Sequence, residues 1–281
     1  MPDLRVGLVG VGTVAATHRT TLAETDGAEL VATADVVPGR GDYEDWRVMI
    51  AKERLDAVVI STPPMHHRQP VIDAANAGLA IYVEKPVAGT LVDAQAMSAA
   101  IARSACICAV GYQYRALTLP TGLRLRALLG RGLSDTTDRS WFGDPAQGGS
   151  QILERASHLI DVQRALAGDV KQVSGHQVAG LVSLTLEFTS GAVGSIVVGR
   201  VPKGPGWSLD IVSDDGTIAI DLDPKPPAIR ISLQRFLEAV RRRDGSLVCC
   251  SLAEGVATLE VALACEQAVR VREIVALGSR N

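Results

Sequence analysis

Aromatic residues are scarce. Phe, Trp and Tyr make up 4% of the 281 residues, so aliphatic side chains must fill the interior. An excess of either charge is also missing. A net charge of −3 leaves no basic footprint to hold a phosphate backbone or an anionic membrane surface, which argues against nucleic acid as a partner. The one basic run, Arg241 to Arg243, falls late in an expected helix, where cations complement the carbonyl end of the dipole. Cysteines are few and odd in number, with no C-x-x-C spacing, so neither a disulfide framework nor a metal site is expected. No window approaches the roughly 18 apolar residues of a membrane span. No charged segment followed by an apolar stretch opens the chain, and the expectation is a cytoplasmic protein with no membrane partner.

What is present is an ordinary globular mixture, 47% hydrophobic and 21% charged, in a chain long enough for two cores. From Leu4 to Gly111, short β-branched runs alternate with helical stretches, the pattern of a parallel sheet covered by helices. Strands are predicted at Leu4–Val9, Leu30–Asp35, Ala57–Ser61, Ile81–Glu84 and Ile107–Val110. Helices are predicted near Thr13–Glu24, Tyr43–Lys52, Gln69–Ala77 and Leu91–Arg103, the last started by Thr90 with Asp93. After Arg115 the rhythm changes. A helix near Leu123–Leu129 leads to a Gly143–Gly149 loop and a helix over Gln151–Leu166. Strands near Lys171–Val178, Val182–Phe188, Val193–Arg200, Leu209–Val212 and Thr217–Ile220 follow, separated by turn residues, hence a mostly antiparallel sheet. Helices at Ser232–Arg243 and Leu252–Val271 close the chain, the second with a Ser251/Glu254 capping box. The fold class is therefore α/β: a doubly wound parallel sheet, then an α+β domain with a mostly antiparallel sheet.

Gly10-Val11-Gly12-Thr13-Val14-Ala15 fits G-x-G-x-x-A at a predicted strand-to-helix junction, with Gly7 just before it. Gly10 makes the tight turn, Gly12 lets backbone approach a pyrophosphate, and Ala15 allows close helix–sheet packing, while the amides opening the helix at Thr13 and Val14 favour an anion. Asp35 lies 23 residues after Gly12, near the roughly 20 expected for the acid that accepts from the adenosine ribose. A carboxylate there repels a 2′-phosphate, favouring NAD over NADP. A capping or turn aspartate would look the same. This makes residues 1–115 a dinucleotide-binding, Rossmann-type domain and leaves 116–281 as the substrate-binding and oligomerisation domain.

Tyr82-Val83-Glu84-Lys85-Pro86-Val87-Ala88 resembles the glucose–fructose oxidoreductase/inositol dehydrogenase/MocA family, whose fourth strand ends in Glu-Lys-Pro. Thr62-Pro63-Pro64-Met65-His66-His67 is similar to that family's loop after the third strand, and Val110 to Arg115 to the exit from its nucleotide domain. Gly148-Gly149-Ser150 through Ser157-His158-Leu159-Ile160-Asp161 is similar to the helix carrying the family's His and Asp. The likeness implies hydride transfer between NAD, or NADP, and a secondary alcohol or ketone of a sugar, inositol or related polyol. It implies a homodimer or homotetramer. It also implies Lys85, His158 and Asp161 as catalytic residues, and Thr62, Pro63, His67, Glu84 and Lys85 beside the cofactor.

Elementary chemistry gives the same residues work. Oxidising a secondary alcohol needs a base for the hydroxyl proton as the hydride leaves. Lys85 stands at the carboxyl end of a strand, where ligands gather in doubly wound sheets. Pro86 after it is a candidate for a cis bond. On an ideal helix turning about 100° per residue, Glu154, His158 and Asp161 fall within about 60° of one another. Ile152, Ala156 and Leu159 take the other side. Such a face enters a cleft or is simply solvated. Tyr112, Gln113, Arg115 and Glu154 are candidate substrate contacts, and His18 also matches a family position near the cofactor; His176 matches none. Compared with the family, residues 36–55 lack most of a helix, and the short stretch 116–147 predicts a missing or reduced first strand in the second sheet. Two other readings remain open: an NAD-dependent glycoside hydrolase on the same scaffold, and a non-catalytic nucleotide-binding protein.

Overall fold

The computed structural model describes residues 2–134, 150–223 and 225–278. The predicted Gly143–Gly149 loop lies outside them. Two compact units divide the chain: residues Met1–Ala116 with Pro226–Val256, and Leu117–Lys225 with Ala257–Asn281. The first break falls one residue from the division read in the sequence. Pro226–Val256, which that division assigned to the second domain, returns to the first.

In the first unit, β1 (Leu4–Val9), β2 (Ala28–Ala34), β3 (Ala57–Ile60), β4 (Ala80–Val83) and β5 (Cys108–Val110) form an all-parallel sheet in the order β2-β1-β3-β4-β5. β3 and β4 are buried along their whole length, which is why their runs are apolar without alternation. The crossovers are α1 (Thr13–Ala23), α2 (Trp46–Lys52), α3 (Arg68–Asn76) and α4 (Leu91–Ser104). Thr90 caps α4, accepting from Asp93 N at 3.1 Å. Helix α2 starts three residues later than its apolar pattern suggested. Tyr43 is instead held extended, its amide on Thr33 O and its carbonyl accepting from Asp35 N. Helix α6 (Lys225–Arg242) sets Leu233, Phe236 and Leu237 into the same core as Val6, Leu8, Val59 and Tyr82.

In the second unit a seven-stranded sheet runs β11-β10-β6-β9-β8-β7-β12, from β6 (Leu125–Ser134), β7 (Val170–Val178), β8 (Leu181–Phe188), β9 (Val193–Arg200), β10 (Gly206–Ser213), β11 (Gly216–Asp221) and β12 (Val275–Ala276). Every pairing is antiparallel except β6 with β9. The helix expected near Leu123–Leu129 is not formed. Those residues enter β6, a ten-residue strand inside the sheet, so the first strand is neither missing nor reduced. Leu128, Gly130 and Gly132 face inward in alternation with exposed Leu129 and Arg131. The inward glycines leave room for Gln163 and Leu159 above Gly130 and for Trp207 above Gly132. Residues 152–156 form a π-helical turn that passes directly into α5 (Ser157–Ala167). Helix α7 (Leu252–Val271) begins with the expected cap, Ser251 Oγ accepting from Glu254 N at 3.3 Å.

Candidate active site

All five strands of the first sheet carry candidate residues at their carboxyl ends, the edge where ligands bind in open α/β sheets. Gly10 follows β1 with φ +87°, and a Cβ there would meet Thr62 N at 2.7 Å and the Ser61 carbonyl carbon at 2.8 Å. Only glycine satisfies both the left-handed backbone and the close approach of the β3 exit. Ser61 Oγ clamps this junction by donating to Gly10 O at 2.7 Å. Gly12 differs. A Cβ on it would meet nothing within 4 Å, and it opens α1 without a side-chain cap. An uncapped helix start above open space suits a pyrophosphate at the amides of Gly12, Thr13 and Val14. Gly7 instead packs beneath Leu55 and Met49, a structural position inside β1.

Asp35 follows β2 and points back at the turn, its Oδ2 accepting from Val11 N at 2.7 Å and its Oδ1 from Val37 N at 2.9 Å. Each carboxylate oxygen can accept more than one bond, so capacity for a ribose remains. Thr62 Oγ1 is buried with no hydrogen-bond partner among the described residues, the kind of orphan that a bound group satisfies. These features fit a dinucleotide.

At the β4 exit the Lys85–Pro86 bond is cis, as the sequence suggested. Glu84 is nearly buried. Its Oε1 lies 2.8 Å from His18 Nε2 and its Oε2 accepts from the Lys85 amide at 3.1 Å. Burial alone would raise its carboxyl, but the hydrogen bond and charge of His18, the Lys85 charge and the Lys85 amide together hold it below the usual range. His67 is fully buried, with Nδ1 3.1 Å from Val87 O and Nε2 2.8 Å from Thr62 O, so it ties the β3 exit to the Lys85 turn. Burial pushes its imidazole down despite the two carbonyls and the Glu84 charge. Tyr112 and Gln113 are buried at the β5 exit, and Arg115 pairs with Glu254 at 2.9 Å.

In the second unit the polar side of the 152–161 segment is not solvated. Glu154, Arg155, His158 and Asp161 are all buried. Asp161 Oδ1 accepts from Thr258 Oγ1 at 2.9 Å, and the same hydroxyl accepts from Arg164 Nη1 at 2.9 Å, a relay from guanidinium to carboxylate. The His158 ring stands edge-on to Trp207, with centroids 5.7 Å apart. Trp207 is fixed in turn by its Nε1 donating to Ser134 Oγ at 3.1 Å and by the Arg155 guanidinium 5.2 Å from its ring. A π-helical turn beside such a cluster is a common mark of function. His176 is exposed on β7. Sequence reading missed Trp207 and Thr258, because each is brought in from a distant segment that carries no local pattern, and it missed Arg164, three residues beyond Asp161 on α5, because its role depends on Thr258. Among the described residues no group of three or more His, Cys, Asp or Glu is placed to hold a metal, and no helix is long and apolar enough to cross a membrane.

Residues 4–112 match the model of an oxidoreductase family with an NAD-binding Rossmann fold, the Gfo/Idh/MocA family, and residues 123–219 match that family's C-terminal domain. The chain belongs to the Gfo/Idh/MocA oxidoreductase family. It is 27% identical to the NAD(+)-dependent scyllo-inositol 2-dehydrogenase of Bacillus subtilis, over 78% of this chain and 74% of that one. It is also 27% identical to the rhizopine catabolism protein MocA of Rhizobium meliloti, over 93% and 94% of the two chains. Its fold is that of the Lactobacillus casei scyllo-inositol dehydrogenase solved with NAD(H) and scyllo-inositol, with a TM-score of 0.87 at 19% identity over 99% of this chain and 100% of that one. In this Gfo/Idh/MocA member the Glu-Lys-Pro turn and the fingerprint turn both lie at the carboxyl edge of the first sheet.

Proposed function

We propose that the chain is an NAD-dependent dehydrogenase that oxidises a secondary alcohol of a sugar, inositol or related polyol, or reduces the matching ketone. The observation that carries this reading is the grouping at one sheet edge of the uncapped Gly12 helix start, Asp35 and Lys85. Asp35 supports NAD over NADP, because a carboxylate repels a 2′-phosphate. Relatives named as inositol dehydrogenases support the polyol class.

Gly12, Thr13 and Val14 would seat the pyrophosphate, Asp35 the adenosine ribose, and Thr62, Pro63 and Lys85 the nicotinamide half. Bound NAD supplies the hydride acceptor. Lys85 and His158 hold and move the hydroxyl proton, and Asp161, pinned by Thr258, orients the substrate. Tyr112, Gln113 and Glu154 are proposed as further substrate contacts, whereas Arg115 serves Glu254. The assembly is proposed to be a cytoplasmic homodimer or homotetramer. Leu129, Leu181 and Val193 support pairing, since each is at least 39% exposed on the strands of the second sheet.

The test is Lys85→Ala assayed with NAD and a polyol panel. Turnover should fall at least ~100-fold, with the NAD dissociation constant within about threefold of the parent. Unchanged turnover removes Lys85 from the chemistry.

A further inference from the structure

Two buried ionisable groups of the first unit, His18 and Glu84, stand outside the chemistry assigned above. Their contacts converge on Lys85. Both oxygens of Glu84 are engaged inside the protein, one by His18 Nε2 at 2.8 Å and the other by the Lys85 amide at 3.1 Å. A carboxylate only accepts, so Nε2 is the donor in this contact. His18 Nδ1 is buried with no hydrogen-bond partner among the described residues, so the polar contact the ring makes there is the one to Glu84. The carboxyl group also lies flat against Gly111, where a Cβ would come 3.0 Å from its carbon and from both oxygens. Tyr82 backs His18 edge-on at 5.5 Å and is itself held by Ser232 and Phe236.

We infer that His18 and Glu84 form a positioning pair that sets the Lys85 turn in register with the fingerprint helix. His18 sits five residues beyond Thr13 on α1, about 7.5 Å along a helix, and that helix opens at Gly12. A shift of α1 thus carries through His18 and Glu84 to the Lys85 amide. The pair fixes where Lys85 stands relative to the pyrophosphate seat, without being a ligand of either partner. The inference rests on the acid/base reading of Lys85. The charged and titratable groups facing Glu84 are His18 from α1, Lys85 and Tyr82 from β4 and its exit, and His67 from the β3 exit; the β5 exit sets Gly111 against its carboxyl group.

The experiment compares His18→Leu, His18→Gln and Glu84→Gln in the full chain. Three quantities are read: kcat, NAD affinity, and acetylation of Lys85 by acetic anhydride in NAD-free protein, followed by mass spectrometry against Lys52, Lys171 and Lys203. His18→Leu should lose at least ~tenfold in kcat with NAD affinity within about threefold. His18→Gln, which keeps a donor toward Glu84, should recover most of that loss. Glu84→Gln removes the charge beside Lys85, so Lys85 should acetylate faster at fixed pH while the other lysines do not change. Parent-like kcat and parent-like Lys85 acetylation across the variants overturn the inference. So does a kcat loss that His18→Gln does not relieve and that matches an equal loss of NAD affinity or melting temperature. If the parent turns over no polyol, the dehydrogenase reading fails, and the acetylation contrast still decides the pair.

Discussion

Replacing Gly10 and Gly12 separately by alanine should separate a folding role from a binding role within three residues. At Gly10 the methyl group meets two penalties. A left-handed φ of +87° costs alanine about 1–2 kcal/mol. A Cβ 2.7 Å from Thr62 N and 2.8 Å from the Ser61 carbonyl carbon presses on backbone and not on a yielding side chain, adding about 1–3 kcal/mol. The sum is roughly 2–5 kcal/mol, or roughly 4–20 °C in the melting of a domain of this size. At Gly12 φ is −87° and no atom lies within 4 Å, so alanine is tolerated and slightly stabilising, by about 0.4–1 kcal/mol through the unfolded chain. The methyl would instead stand where the pyrophosphate must approach. Losing one hydrogen bond to a charged group costs about 1.5–3 kcal/mol, a roughly 10- to 150-fold weaker NAD affinity. Thermal melts without ligand and calorimetric NAD titrations read both. Gly12→Ala binding NAD like the parent, or Gly10→Ala melting like it, would refute the assignment.

Three further outcomes are expected. Asp35→Asn keeps an acceptor for Val11 N but removes the charge, so the NADP to NAD preference should rise about tenfold, or 1.4 kcal/mol, in competitive binding. Thr258→Val strips a hydroxyl shared by buried Asp161 and Arg164 and should destabilise the protein by about 1–3 kcal/mol in denaturant melts. Glu84, whose carboxyl is held low when folded, contributes stability in full above the unfolded carboxyl pKa of about 4.3. That contribution is lost as pH falls through the lower folded value, so the melting temperature should drop below about pH 4.3, and Glu84→Gln should flatten the drop.

The first sheet was legible because burial on both faces leaves an apolar run such as Val58-Val59-Ile60 with few alternatives. Its turn chemistry was legible too: Gly10 and Thr90 act through their own backbone and nearest amides. The misreadings arise where distant segments decide. β6 hid its alternation because glycines occupy its inward positions and Leu129 its outward one, so the leucines mimic helical spacing. Helix α6 begins at Lys225 and not at the expected Ser232, since Pro226 and Pro227 fall in its first turn, where a proline costs no hydrogen bond. Among the candidate residues, Lys85 and His158 were singled out by their flanking motifs. The buried partners of the candidates, His18 for Glu84 and Thr258 for Asp161, depend on tertiary pairing across 66 and 97 residues.

Because α6 supplies Leu233, Phe236 and Leu237 to the core beneath Val6 and Tyr82, the parallel sheet cannot seal its oily underside from the first 116 residues alone. A growing chain must emerge from the ribosome past that helix before its nucleotide half is complete. Expressing only the leading segment should therefore yield a sticky fragment that recruits chaperones, and supplying residues 226–256 on a tether should restore a soluble module.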